Sequence, residues 1–385
     1  MTASPLSRPG SASAVTADGG EDPAYLAEQV ITYIGNKRAL LGFIGQALDI
    51  VREEIGRERL SIADAFSGSG VVSRFFKRFA AKLYANDLER YCQTINACYL
   101  ANRSEIGMAS LRRIHGELIG KLADDRLERG FISELYAPRD DRAIQSGERA
   151  FYTTRNAMYL DTARRLIEEL PEPTRPFFLA PLLYEASVHA NTSGVFKGFY
   201  KNSETGLGQF GGNGRNALSR ILGDISLPFP VFSRFACDVH VSRMDAGAFA
   251  DSLPAIDLAY LDPPYNQHPY GSNYFMLNLI DEYRRPEAVS RVSGIPEGWN
   301  KSRYNVRGEA RETLLDLCRR LPAKYLLVSF NSDGFIGREE MTALLGEVGD
   351  VRILERVYNT FRGSRNLSGR DVHVKEFLYL VRKNA

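Results

Sequence analysis

The stretch Ser61-Ile-Ala-Asp-Ala-Phe-Ser-Gly-Ser-Gly70 constrains the fold more than any other part of this chain. Ile62 to Phe66 reads as a short buried strand. Gly68 and Gly70 then open a turn into the helix-like run Val71-Val72-Ser73-Arg74-Phe75-Phe76. Glycine is needed where a ligand approaches the backbone closely or φ turns positive. Strand, Gly-rich turn and helix in that order mark the nucleotide-binding edge of a doubly wound sheet. The segment is not G-x-G-x-x-G, and it lacks the lysine and spacing of a phosphate-cradling loop. Asp64 would repel phosphate and suits a ligand with a positive centre. An ordinary βα turn carries the same residues. Leu83-Tyr84-Ala85-Asn86-Asp87 reads as the next strand, ending in an acid about 20 residues after the turn, where an acid bonds ribose hydroxyls. Asp87 equally suits the N-cap of a helix over Leu88 to Leu100.

A second signal ends the apolar run Ile256 to Leu261. Asp262-Pro263-Pro264-Tyr265 presents a carboxylate, a backbone carbonyl and an aromatic face from a stiff turn. Two prolines fix φ near −65° and donate no N–H bonds. A strand-ending turn with a helix-capping Asp is the plain alternative. Together the two segments suit the holding of a planar, amine-bearing ring against a cationic donor.

Around these signals the chain keeps a βα rhythm. Residues 38–58 carry Leu40, Ile44, Ala47, Leu48, Val51 and Ile55 at helical spacing. Strands are expected near 62–66, 83–86, 238–243, 256–261, 325–330, 351–357 and 375–382, the pattern of a mostly parallel sheet. Between 101 and 236 the rhythm changes. Residues 107–135, 155–170 and 177–190 read as helices, and Lys197 to Asn216 is a polar, Gly-rich loop of a length that is usually functional or disordered. The expected organisation is a tail over 1–24, a sheet domain over 25–100 and 237–385, and a largely helical insertion over 101–236.

Four blocks resemble the Dam-like class of DNA adenine-N6 methyltransferases, and most closely the subgroup paired with restriction enzymes. Tyr33-Ile-Gly-Asn-Lys37 is similar to the class's N-terminal methyl-donor motif, and Asp64 to Gly70 to its Gly-rich motif. Asn191-Thr-Ser-Gly194 with Phe196 is similar to a middle segment. Asp262 to Tyr274 is similar to the catalytic motif and its extension, with Ser329 to Gly334 as a weaker fifth block. The subgroup usually has Arg-Gln-Tyr where this chain has Gln267-His268-Pro269-Tyr270, and His where it has Phe275. Those departures leave the methyl chemistry untouched and weaken inference about the target sequence.

The resemblance implies a Rossmann-like α/β methyltransferase sheet with helices on both faces, and S-adenosylmethionine as donor. Asp64, Phe66, Gly68 and Gly70 would hold its methionine end, with Tyr33 and Lys37 lining the same end. Asp87 would take the ribose, and Asp245 the donor adenine. Asp262, Pro263, Pro264 and Tyr265 would be catalytic. Ser in place of Asp262 would indicate cytosine-N4 transfer, and Asn protein glutamine. An RNA adenine and a silent nucleic-acid-binding module of the same fold remain alternative readings. The insertion would recognise double-stranded DNA, and a cognate restriction endonuclease is a candidate partner.

A net charge of +2 puts any DNA contact on local charge. Lys197, Lys201 and Arg215 in the Gly-rich loop, and Arg362 and Arg365 near the C-terminus, are the candidates. The stretch 351–385 has eight Lys/Arg against three Asp/Glu. The four cysteines and five histidines show no metal spacing, so no metal is expected. No apolar run approaches the ~20 residues of a membrane span, and no signal peptide is evident, so a cytoplasmic location is expected.

Overall fold

Residues in the central strands alternate between two apolar surfaces, which makes the sheet two-sided. Ile62, Leu258, Tyr260, Leu327 and Leu380 pack with Phe43, Ile44 and Leu48 of the helix Leu41–Ile55. Ala63, Ala259, Leu261, Leu326, Val328 and Val381 pack with Phe249, Leu314, Leu317 and Leu344. Those partners come from the helices Ala246–Ser252, Arg307–Arg320 and Arg338–Gly346. The computed structural model describes residues 20–332, 334–359 and 373–384.

The strands are β1 (Leu60–Asp64), β2 (Ala80–Asp87), β3 (Asp238–Arg243), β4 (Ile256–Leu261), β5 (Ala323–Asn331), β6 (Gly349–Asn359) and β7 (His373–Lys383). They form one sheet in the order β3-β2-β1-β4-β5-β7-β6. Strands β1 to β5 pair in parallel, and β7 is inserted antiparallel between β5 and β6. The expected mostly parallel sheet with helices on both faces is therefore found. The reversal at β7 is an addition that strand patterning does not reveal.

After β1 the chain winds outward through β2 and β3, then returns to place β4 on the other side of β1. Helices leaving β1 and β4 diverge there and leave a crevice at the carboxyl ends of the strands, the usual ligand position in such sheets. Asp64 ends β1, Asp87 ends β2 and Asp262 follows β4, so all three acids reach that crevice.

The stretch 101–236 contributes the helices Met108–Lys121, Phe131–Tyr136, Thr154–Glu168 and Pro176–Val188. Their apolar faces share one core with Tyr91, Cys92 and Ile95, and with Phe275, Met276 and Ile280. The stretch thus packs directly on helices that follow β2 and β4. Of the tail expected over 1–24, residues 1–19 lie outside the described residues. Asp22 accepts from Ala24 N–H and caps the short helix Pro23–Ala27. No helix among the described residues is long and apolar enough to cross a membrane.

Candidate active site

A pocket opens at the crevice. Tyr33, Lys37, Asp64, Phe66, Gly68, Asp87, Asp245, Asp262 and Pro264 all line it. Gly70 stands just behind as the N-cap of the helix Val71–Lys77. Pro263 is buried, and Tyr265 is half-buried with its ring edge-on to Phe330 at 5.9 Å.

The Gly-rich turn needs its glycines. Gly68 has φ +50° and Gly70 φ +76°, in the left-handed region. A Cβ on Gly68 would sit 3.1 Å from Tyr33 Cε1, and one on Gly70 2.9 Å from Asn96 Oδ1. Beneath the turn, Asp64 Oδ2 accepts from the Ser73 hydroxyl at 2.6 Å. Its Oδ1 is buried without a hydrogen-bond partner of normal geometry. Burial, together with the neighbouring Asp262 and Asp87 charges, outweighs the Ser73 bond and pushes the Asp64 carboxyl up to about 7. An unpartnered buried oxygen among acids is a receptor for a cation.

Asp262 is paired. Its Oδ1 lies 3.1 Å from Lys37 Nζ, and the same ammonium lies 2.9 Å from Glu376 Oε1 on β7. The Ser329 hydroxyl donates to that Glu376 oxygen at 2.6 Å. Burial pushes the Asp262 carboxyl up; Lys37 pulls it back and Glu376 adds to the rise, leaving it at about 6. Burial alone would lower the Lys37 ammonium, but the two carboxylates outweigh it and hold it well above its usual range.

A tyrosine stack forms the wall next to this cluster. Tyr33, Tyr270 and Tyr274 form a triangle of offset, near-parallel rings: Tyr33 is 4.9 Å from Tyr270 and 4.6 Å from Tyr274, which are 6.0 Å from each other, with ring planes within 24° of parallel. The Ile34 amide donates to the Tyr274 hydroxyl at 2.7 Å, and the Tyr270 hydroxyl donates to the Ile34 carbonyl at 3.2 Å. The stack thereby ties the N-terminal turn to the segment after Asp262.

The far end of the pocket differs from the sequence expectation in detail. The Asp87 oxygens accept from Gly68 N–H at 2.8 Å and Glu89 N–H at 2.9 Å. Asp87 therefore shapes the turn. Glu89 also lines the pocket, is buried, and accepts from Asn300 Nδ2 at 3.1 Å. Burial pushes its carboxyl up to about 7. Asp245 is exposed, and one of its oxygens caps the helix Ala246–Ser252 through Gly247 N–H at 2.8 Å.

The family model for the D12 class of N6 adenine-specific DNA methyltransferases matches residues 33–213 and 234–316, more than half of the chain. The chain belongs to this class. Among curated relatives it is 27% identical over 363 residues to the type II methyltransferase M.NlaIII of Neisseria lactamica, covering 92% of this chain and 99% of the relative. It is 28% identical over 352 residues to M.CviAII of Paramecium bursaria Chlorella virus 1, covering 89% and 98%. Against M.FokI of Planomicrobium okeanokoites identity is 23% over 365 residues, 91% of this chain and 52% of the relative.

In this D12-class chain the candidate DNA loop is a built hairpin. Lys201 bridges Gly208, and Gln209 N–H donates to the Tyr200 carbonyl at 3.0 Å. Asn191 anchors its base: its amide donates to Ala150 O at 2.8 Å and accepts from Gly211 N–H at 2.9 Å. Asn202 and Asn213 hold the turn through Thr205 and Ser203 N–H. Arg220 binds the carbonyls of Val188, Ala190 and Thr192, so it staples the end of the helix Pro176–Val188. Lys197, Lys201 and Arg215 are exposed. Lys197 is close enough to His268, six residues past Asp262, to help lower that imidazole's pKa after burial. The loop base therefore borders the segment following the catalytic-type turn. Arg362 and Arg365 lie outside the described residues. Among the described residues no group of three or more His, Cys, Asp or Glu is arranged to hold a metal.

Sequence reasoning missed Glu89 and Tyr270 as pocket groups, and Glu376 and Tyr274 as the buried residues that hold Lys37 and Tyr33 from behind. Tyr270 and Tyr274 fall inside the extension of the catalytic motif, Asp262 to Tyr274, and that position was the available signal. Glu376 and Glu89 had none beyond being acids near strand ends.

Proposed function

We propose that S-adenosylmethionine is the donor, and that the pocket brings it against an adenine flipped out of double-stranded DNA. The supporting observation is that Asp262 shares one cavity with the Gly68–Gly70 turn and the unpartnered Asp64 oxygen. Asp64, Asp87, Glu89 and Asp262 against the single ammonium of Lys37 make an anionic cavity, which fits a ligand carrying sulfonium and ammonium charges. Bound there, S-adenosylmethionine would supply an electrophilic methyl group.

The chain's own residues do the rest. Asp64 Oδ1 would accept the methionine ammonium. Glu89, with Asp87 bracing the turn, would take the ribose hydroxyls. The second Asp245 oxygen would face the donor adenine. Target N6 is a poor nucleophile because its lone pair is delocalised into the ring, and it cannot be reached inside the stack. Asp262 and the Pro263 carbonyl would accept its two hydrogens, favouring a tetrahedral nitrogen with its lone pair free. Tyr265 would stack on the base. Alignment supplies much of the rate.

Single-molecule sequencing of DNA from cells expressing the protein tests this reading. N6-methyladenine in one sequence context is expected, and a cognate endonuclease would be blocked at that same sequence. Methylated cytosine instead, or unmodified DNA from active protein, would refute it.

The 101–236 region would recognise the target. Replacing Lys197, Lys201 and Arg215 together by Ala is expected to weaken DNA binding. The log–log salt slope should also flatten, by about 0.9 for each phosphate no longer neutralised. An unaltered slope in a fluorescence titration would remove this loop from the phosphate contacts.

A further inference from the structure

Glu376 poses a physical puzzle. It is fully buried, and its Oε1 meets Lys37 and the Ser329 hydroxyl. Its Oε2 has no hydrogen-bond partner among the described residues. Asp262 alone would satisfy the Lys37 charge. A second buried carboxylate, half satisfied, is a net cost to folding. It is supplied from β7, where Glu376 stands opposite Asn331 of β5, two residues from Ser329. The placement therefore calls for a role beyond holding the sheet together.

We propose that Glu376 is a positioning residue for methyl transfer: by holding the Lys37 ammonium, it leaves the Asp262–Lys37–Glu376 cluster with one net negative charge directed at adenine N6. Without Glu376 the Asp262–Lys37 pair would be neutral. During transfer N6 gains the methyl carbon, the carbon–sulfur bond breaks with its electron pair going to sulfur, and N6 becomes cationic. N6 then sheds one proton to the Asp262 carboxylate, and the cluster passes from one negative charge to none. A neutral cluster would instead have to become positive. The inference rests on Asp262 being the proton acceptor.

The groups facing Asp262 are few. Lys37 comes from the N-terminal turn and Glu376 from β7; Asp64 ends β1, Tyr260 lies on β4, and Tyr265 and Tyr270 follow it. The tyrosine hydroxyls are pushed up by burial and stay neutral through the working range. Lys37 and Glu376 are therefore the neighbours that set the Asp262 charge, with Asp64 as a further acid.

The test is the pH profile of the single-turnover methylation rate, measured on the full-length protein with duplex DNA. The rate should rise with pH as Asp262 loses its proton, with the acid limb near the wild-type carboxyl value of about 6. Glu376→Gln removes a like charge, so the limb should move down by about one pH unit, and the plateau should fall by up to about tenfold because Asp262 becomes a weaker base. Lys37→Met removes the opposite charge and should move the limb up. Glu376→Asp keeps the charge at a greater distance and should fall between wild type and Glu376→Gln, with donor KM unchanged. An unmoved limb in folded Glu376→Gln overturns the proposal, since a purely structural role lowers stability and rate without shifting it. If Glu376→Gln does not fold, Glu376→Asp decides: a downward limb supports the role and an unmoved one overturns it. Asp262→Asn separates the two readings. If it turns over normally, the function of Asp262 falls too; if it is dead while the limb stays put, only the role of Glu376 falls.

Discussion

Asp262→Ala is expected to lower single-turnover methylation by at least about a thousandfold, the upper range for a positioned proton acceptor. Donor affinity measured by calorimetry should change little. The two outcomes separate because of how the charges are arranged. Lys37 keeps Glu376 at 2.9 Å when Asp262 is removed, so no buried ammonium is stranded. Truncation usually destabilises strongly by leaving such an uncompensated charge, and that cost is absent here. Asp64 and Glu89 still line the cavity, so its attraction for a cationic donor persists. What disappears is the proposed acceptor for an N6 hydrogen, and with it the proposed means of turning a flat amine into a nucleophile. Turnover within tenfold of wild type would show that another group receives the proton, and Asp262 would then be a purely structural partner of Lys37.

The fold was readable because its signals are local. Alternation along β1, β4 and β5 puts Ile62 and Ala63, Leu258 and Ala259, Leu326 and Leu327 on opposite faces, and each pair is visible in neighbouring letters. Strand order is not local. The segment 375–382 reads as a strand, yet its antiparallel entry between β5 and β6 is decided by three-dimensional packing. That placement carries Glu376 to Lys37, more than three hundred residues away in the chain. Its role could therefore not be read from spacing.

The pocket shows the same division. Asp64, Gly68, Asp87 and Asp262 end strands or follow them directly, so topology alone sends them to one crevice. The use each side chain makes of its atoms is a matter of short-range geometry. Asp87 turns toward Gly68 and Glu89 N–H and braces the loop, while Glu89, two residues on, faces the cavity. In the candidate DNA loop, Arg220, Asn202 and Asn213 have the composition of a base-reading surface, but their polar atoms bind the protein's own backbone. Lys197, Lys201 and Arg215 remain at the surface.

Gly68→Val should weaken S-adenosylmethionine binding by about one to two orders of magnitude, and the reason is mechanical. At φ +50° a β-branched residue is strained by roughly 1–3 kcal/mol; the free turn relieves that strain by leaving its donor-holding shape, so binding must restore it, and each ~1.4 kcal/mol spent in doing so is a factor of ten in affinity. Steric pressure adds to this, because the new Cβ would lie 3.1 Å from Tyr33 Cε1. Tyr33 cannot yield freely: it packs on both Tyr270 and Tyr274, which also stack on each other and whose hydroxyls hold both backbone groups of Ile34. Moving the ring would disturb the turn that carries Lys37 and the wall beside Asp262. The Gly68 N–H bond to Asp87 would also break or bend, releasing the brace under the Glu89 segment. Gly68→Ala should fall between wild type and Gly68→Val, because it keeps the φ strain of a side chain without the branch. Glu89→Gln, run in the same calorimetry, should weaken the donor more than Asp87→Asn if the ribose end is held as proposed; the reverse order would return that role to Asp87. The Gly68→Val result separates a donor turn from a merely tight one. A tight turn unrelated to the donor would cost stability on heating while donor affinity stayed at the wild-type value, and that pattern would move the donor elsewhere in the crevice.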